Sequence, residues 1–194
     1  MSIFELYLNL GIHHIADLRG YDHILFISTL IAVYQLKHWK KVIVLVTAFT
    51  IGHSTTLALA TLHILRISPD WIEFLIPVTI FITAFINLLQ KSDNFDRDIH
   101  FFKYLTALFF GLIHGLGFSN YLRSLLGAES SFVWPLFSFN LGIEVGQFII
   151  VSIVLALNLV LVKWVHIRQR DWRLVISGAG LGVSLVLMGN RFPF

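Results

Sequence analysis

A small set of imidazole and carboxylate side chains stands inside runs that are otherwise apolar. They are Asp22 and His23 in Tyr21-Asp22-His23, His53 in Gly52-His53-Ser54-Thr55-Thr56, His114 in His114-Gly115-Leu116-Gly117-Phe118, and Glu144 in Phe139-Asn140-Leu141-Gly142-Ile143-Glu144-Val145-Gly146-Gln147. A charged group at the centre of a membrane helix costs roughly 2.5–3.5 kcal/mol on insertion scales, so several retained together point to joint use. Imidazole with carboxylate is the donor set of a divalent transition-metal site. It suits nickel or zinc, with cobalt, iron and copper(II) also open, and does not choose among them.

Each motif also has a plainer reading. Asn140, Glu144 and Gln147 recur at i, i+4 and i+7 on one helix face, where polar groups can join helices by hydrogen bonds. Glu144 needs more than that, because a buried carboxylate requires a cation, a proton or a set of donors. Gly111, His114, Gly115 and Phe118 share a face, and the glycines would let a partner helix press on His114. Thr50, Ser54 and Thr56 could orient His53 as outer hydrogen-bond partners, with Asn140 and Gln147 in the same role, or the hydroxyls could simply bond their own helix carbonyls. Asp22 also suits the first turn of a helix. His13, His14 and Asp17 precede Asp22-His23, and His14 is a further candidate ligand. His38, His63, His100 and His166 fall at helix ends or in loops. Ser119 is not in a nucleophile-elbow pattern, which argues against a serine hydrolase.

The elements that must carry these groups are membrane helices. Of 194 residues, 57% are hydrophobic and 13% charged, with a mean hydropathy of +0.80. The net charge of +3 gives no reason to expect nucleic-acid binding, and the lack of cysteine excludes disulfides, thiolate metal sites and a cysteine nucleophile. Met1-Ser2-Ile3-Phe4-Glu5 has no basic n-region and no small-residue cleavage site follows, so no cleavable signal is expected. Six spans are predicted, approximately Tyr21–Leu36, Val42–Leu65, Trp71–Leu89, Phe101–Leu126, Trp134–Val162 and Leu174–Met188. The first is short. It either begins upstream or follows a short interfacial helix over Ile3–Ile15. The longest polar stretch, Gln90–His100, reads as a loop, and residues 1–194 as one all-α transmembrane domain.

Lysine and arginine set the expected orientation. Lys37, Lys40, Lys41, Lys91, Arg97, Lys103, Lys163, Arg168, Arg170 and Arg173 fall on one side, and Arg19, Arg66, Arg123 and Arg191 on the other. The richer side should be cytoplasmic, which puts both termini outside a bacterial inner membrane. At ~1.5 Å per residue, His53, His114 and Glu144 share one depth, with Asp22 and His23 above them at the outer mouth.

Taken together, these blocks resemble the HupE/UreJ family, second subgroup. The resemblance rests on His14-Ile15…Gly20-Tyr21-Asp22-His23-Ile24-Leu25-Phe26, then Phe49-Thr50-Ile51-Gly52-His53-Ser54-Thr55-Thr56-Leu57, Phe110-Gly111-Leu112-Ile113-His114-Gly115-Leu116-Gly117-Phe118, and the Phe139–Gln147 block, in that order. Five residues separate His14 from Gly20 where the family usually has three. The resemblance implies a link to nickel through hydrogenase or urease maturation, and a role as a metal permease.

Three functions are compatible with these readings. The first is a divalent-metal permease, with Asp22 and His23 capturing the ion and His53, His114 and Glu144 holding it. Its weak point is the cytoplasmic half, where only Asn158 and Thr47 offer polar groups. The second is a membrane-embedded zinc hydrolase with Glu144 or Asp22 as general base. The third is a metal-free bundle or small-solute channel. The expected partners are a metal ion and membrane lipid, and a homo-oligomer is compatible with all three.

Overall fold

A computed structural model describes residues 2–90, 97–126 and 132–193. Among the described residues every regular element is helical. The order is α1 (Ile3–Ala16), α2 (Asp22–Ile31), a short 3-10 turn (Leu36–His38), α3 (Trp39–Thr61), α4 (Pro69–Leu89), α5 (Arg97–Gly117), α6 (Ser119–Leu126), α7 (Val133–Leu159) running into a π turn (Val160–Trp164), and α8 (Gln169–Asn190). Local chemistry sets several ends. Ser2 and Glu5 form a capping box on α1. Pro69 opens α4, where its missing N–H costs nothing. His63 and His166 adopt left-handed backbone (φ 61 and 63) just beyond α3 and the π turn. His38 receives the Gln35 amide on Nδ1 at 3.4 Å. Of the predicted loop at Gln90–His100, residues 91–96 lie outside the described residues, and residues 97–100 are helical instead, as the first turn of α5.

Four helices are long and apolar enough to cross a bilayer: Leu36–Thr61, Pro69–Leu89, Val133–Trp164 and Gln169–Asn190. A fifth crossing is available if Phe101–Gly117 and Ser119–Leu125 count as one, although they bend by 49° at Phe118. The predicted first span, Tyr21–Leu36, is not a full crossing. Its helix is α2, ten residues long, or about 15 Å against a hydrocarbon core of ~30 Å. The upstream segment is a helix packed along α7, with Tyr7, Gly11 and Ile15 buried.

Glycine contacts fix the helix senses. A Cβ on Gly11 would overlap Phe139, one on Gly142 would overlap Leu8, and one on Gly146 would press on Ile12. Partners advance together along both chains, so α1 and α7 are parallel. By the same logic α3 and α5 are parallel, since Gly52 meets Leu108 while Gly111 meets Phe49 and Gly115 meets His53. Helix α8 runs against both α2 and α4, pairing Asp22 with Arg191, Thr29 with Gly180, Gln90 with Arg173 and Phe74 with Phe192. Helix α4 is antiparallel to α5, through Thr79 with His114 and Gln90 with Lys103. Helix α3 is antiparallel to α7, through Ser54 with Asn140 and Thr50 with Gln147. Hence α1, α2, α4 and α7 run one way, and α3, α5 and α8 the other. Consecutive α1 and α2 therefore share a sense with only residues 17–21 between them, which is a helix interrupted within the bundle.

Candidate metal centre

The interruption between α1 and α2 brings His14 and His23 together, with ring centres 4.7 Å apart. His53 on α3 lies 5.9 Å from each of them, and His114 on α5 lies 5.1 Å from His23. The close α3–α5 packing explains how His53 and His114 reach one place. Each is next to a glycine contact, and Gly115 sits against the His53 carbonyl. His23, His53 and His114 are 6%, 0% and 1% exposed. Two imidazoles sharing one ion through metal–nitrogen bonds of ~2.0–2.1 Å have ring centres about 5 Å apart. The His14–His23 and His23–His114 pairs are at that spacing, and His53 stands somewhat farther off, at 5.9 Å from His14 and from His23. As the side chains stand, no group of three or more His, Asp or Glu among the described residues has its ligand atoms gathered at one point.

The hydrogen bonds leave these rings with spare nitrogens. His14 Nε2, His23 Nε2, both nitrogens of His53 and His114 Nδ1 are buried without a partner. Orphaned buried polar atoms are uncommon in folded proteins, and these five nitrogens are open to a water or a ligand. The one nitrogen that is held is His114 Nε2, 2.9 Å from the Thr79 hydroxyl. That hydroxyl has a single proton, and its 2.7 Å contact with the Ile76 carbonyl uses it. With that proton so used, Thr79 Oγ1 accepts from Nε2–H of His114, and the ring's lone pair is left on Nδ1, which has no hydrogen-bond partner. An outer hydrogen bond of this kind sets tautomer and ring orientation in metal-bound histidines.

Access comes from the end of the bundle where α4 begins and α8 ends. A cavity of about 270 Å³ is lined by His14, His23, His114, Asp17, Asp22 and Glu73, with Arg191 at its rim. Arg191 Nη1 donates to Asp22 Oδ2 at 2.8 Å. A second, more open recess of about 370 Å³ reaches His14 from the other flank, between His13, Asp17 and Tyr121. Phe118 packs on the His14 ring at 3.9 Å and stacks on Phe139, closing that side.

The remaining sequence candidates take part in hydrogen bonds between α3 and α7. Glu144 accepts from Thr47 at 2.9 Å. Thr50 donates to Gln147 at 2.7 Å and Ser54 to Asn140 at 2.8 Å. These three pairs form a polar ladder between α3 and α7, so Thr50, Ser54, Asn140 and Gln147 serve each other and leave His53 without a hydrogen bond. Thr56 bonds its own helix, at the Gly52 and His53 carbonyls. Thr79 and Arg191 join the site without having stood among the residues expected there from the sequence. Thr79 did carry a signal, since Thr79, Thr83 and Asn87 recur at i, i+4 and i+8 in an apolar helix.

A family profile described as HupE / UreJ protein matches residues 1–190. The chain belongs to the HupE/UreJ family. No curated protein and no solved structure matches it. As a HupE/UreJ chain with several apolar helices of spanning length, it is a multi-pass membrane protein. The HupE/UreJ match takes in α1 and His14.

Proposed function

We propose that this protein is a permease for a nickel-type divalent transition-metal ion, and that His14, His23, His53 and His114 hold the ion in transit. The observation that carries this is the set of five unpartnered imidazole nitrogens on four neighbouring rings, two pairs of which stand as close as ligands of one ion would. The family's association with nickel and cobalt handling supports the class of cargo. Neutral imidazole suits such borderline ions, and the donor set leaves nickel, cobalt and zinc chemically open.

The surroundings have the electrostatics of a cation vestibule. Asp17, Asp22 and Glu73 line the approach, and one arginine offsets one of these carboxylates. Carboxylates in a cleft with apolar walls raise the local concentration of cations. The basic side chains Lys37, Lys40, Lys41, Lys103, Lys163 and Arg173 fall at the opposite end by helix sense. By the positive-inside rule that end faces the cytoplasm of a bacterial inner membrane, and the cavity opens outward. An interrupted helix at the binding site fits this reading, because transporters place discontinuous helices where an ion is bound near mid-membrane.

The test is nickel and cobalt uptake into vesicles, with equilibrium binding to the purified protein. The parent should bind about one ion per chain and take it up, and His53→Ala and His23→Ala should lose both. Uptake unchanged in both variants would overturn the proposal. Tightly retained zinc in a parent that moves no ion would instead support the hydrolase reading.

A further inference from the structure

Beneath the imidazoles lies an aromatic layer. Each of three histidines has a phenylalanine one turn toward the lysine-rich end: Phe26 follows His23 on α2, Phe49 precedes His53 on α3, and Phe110 precedes His114 on α5. These side chains are 0%, 1% and 5% exposed. Phe26 lies 4.9 Å from Phe49 and 6.1 Å from Phe110, centre to centre. The His114 ring rests 4.9 Å from Phe26 and 5.2 Å from Phe49. Beyond the layer is a small, half-open chamber of about 50 Å³ between α2, α4 and α5, lined by Leu30, Thr83, Ile86, Asn87, Lys103 and Thr106. A polar line on α4 passes from one side of the layer to the other. Thr79 holds His114, Thr83 Oγ1 donates to the Thr79 carbonyl at 2.8 Å, and Asn87 Nδ2 donates to the Thr29 carbonyl at 2.7 Å.

We propose that Phe26, Phe49 and Phe110 form the inner barrier of the transport path, and that the chamber beside Thr83 and Asn87 receives the ion once these rings turn aside. This rests on the permease reading. A hydrated dication cannot cross three packed phenyl rings, because no group there replaces its water. The chamber supplies neutral oxygens from Thr83, Asn87 and Thr106 and no carboxylate. Lys103, poised 5.4 Å over the Tyr34 ring and 3.5 Å from Gln90 Oε1, adds a positive charge at its edge. A site of that chemistry holds a dication weakly, which favours release over storage.

The chain has no cysteine, so Thr83→Cys supplies a single reactive thiol in the chamber. Vesicles with the cavity end outward are treated with a membrane-impermeant thiol reagent. Thr83→Cys alone should react slowly. Adding Phe110→Ala should raise the labelling rate about tenfold, equivalent to ~1.4 kcal/mol off the barrier, and Phe110→Leu should restore the slow rate. Downhill nickel entry should rise with Phe110→Ala. Phe49→Ala in the same background gives an independent reading should Phe110→Ala fail to fold. Nickel uptake that persists in the parent, with labelling and uptake unmoved by both alanine variants, overturns the barrier alone. Absence of nickel movement in every variant, with labelling still rising, overturns the permease reading and this proposal with it.

Discussion

Replacing Thr79 by valine tests the logic of the histidine cluster at its most specific point. Valine keeps the β-branched shape and removes the hydroxyl that His114 Nε2 meets at 2.9 Å. Two consequences follow from the buried position of Thr79, 1% exposed. The Nε2–H of His114 loses its acceptor, and an unsatisfied buried donor costs ~1–3 kcal/mol. The ring is then free to change tautomer or turn, so Nδ1 is no longer fixed as the nitrogen that carries the lone pair. Loss of an outer partner of a ligating histidine typically weakens metal affinity ~10–100-fold, or about 1.4–2.7 kcal/mol. The assay is calorimetric titration of the purified protein with nickel or cobalt. Thr79→Val should fall in that range and Thr79→Ser, which keeps the hydroxyl, should recover most of the affinity. Parent-like affinity in a folded Thr79→Val protein would refute the tautomer argument, as would equal losses in the valine and serine variants.

Other substitutions bear on separate parts of the structure. Glu144→Gln should leave nickel affinity within about twofold of the parent, while His53→Ala lowers it more than about tenfold in equilibrium dialysis, the size of effect seen even for outer partners of metal ligands; a large loss with Glu144→Gln would place the carboxylate on the ion. Gly111→Ala puts a Cβ onto the Phe49 carbonyl and should destabilise the protein by ~1–3 kcal/mol through overpacking. Gly178→Ala, where nothing lies within 4 Å, is its control, and equal melting temperatures in detergent would count against the close α3–α5 contact. Arg191→Gln removes the partner of Asp22 and makes the cavity mouth more negative. Initial nickel uptake at low ionic strength should then rise, and the gain should fade with salt; a salt-independent rate would argue that the mouth does not steer the ion.

Much of the architecture was legible because membrane helices announce themselves locally. Apolar runs over Val42–Leu65, Trp71–Leu89, Trp134–Val162 and Leu174–Met188 correspond to the four long apolar helices found. The first run is the one whose helix is too short to span by itself, because hydropathy does not register where a helix breaks. Tyr21–Leu36 is apolar enough, yet its helix stops at Ile31 and continues the sense of α1. The shared depth of His53 and His114 was readable from rise per residue. Glu144 was placed at that depth by the same count, but depth says nothing about azimuth, and its side chain meets Thr47.

The sequence by itself determined which residues are polar in an apolar setting and how deep each lies, because both follow from composition and a fixed helical rise. It also carried the ordered blocks that mark the family. Tertiary structure decided which of those residues meet. His14 joins the cluster because α1 packs parallel to α7 and ends where α2 begins. Thr79 becomes the partner of His114, and Arg191 that of Asp22, across 35 and 169 residues of chain. Such pairings depend on helix azimuth and on which backbones can approach at glycine. Those are properties of pairs of helices, and no periodicity within one helix encodes them.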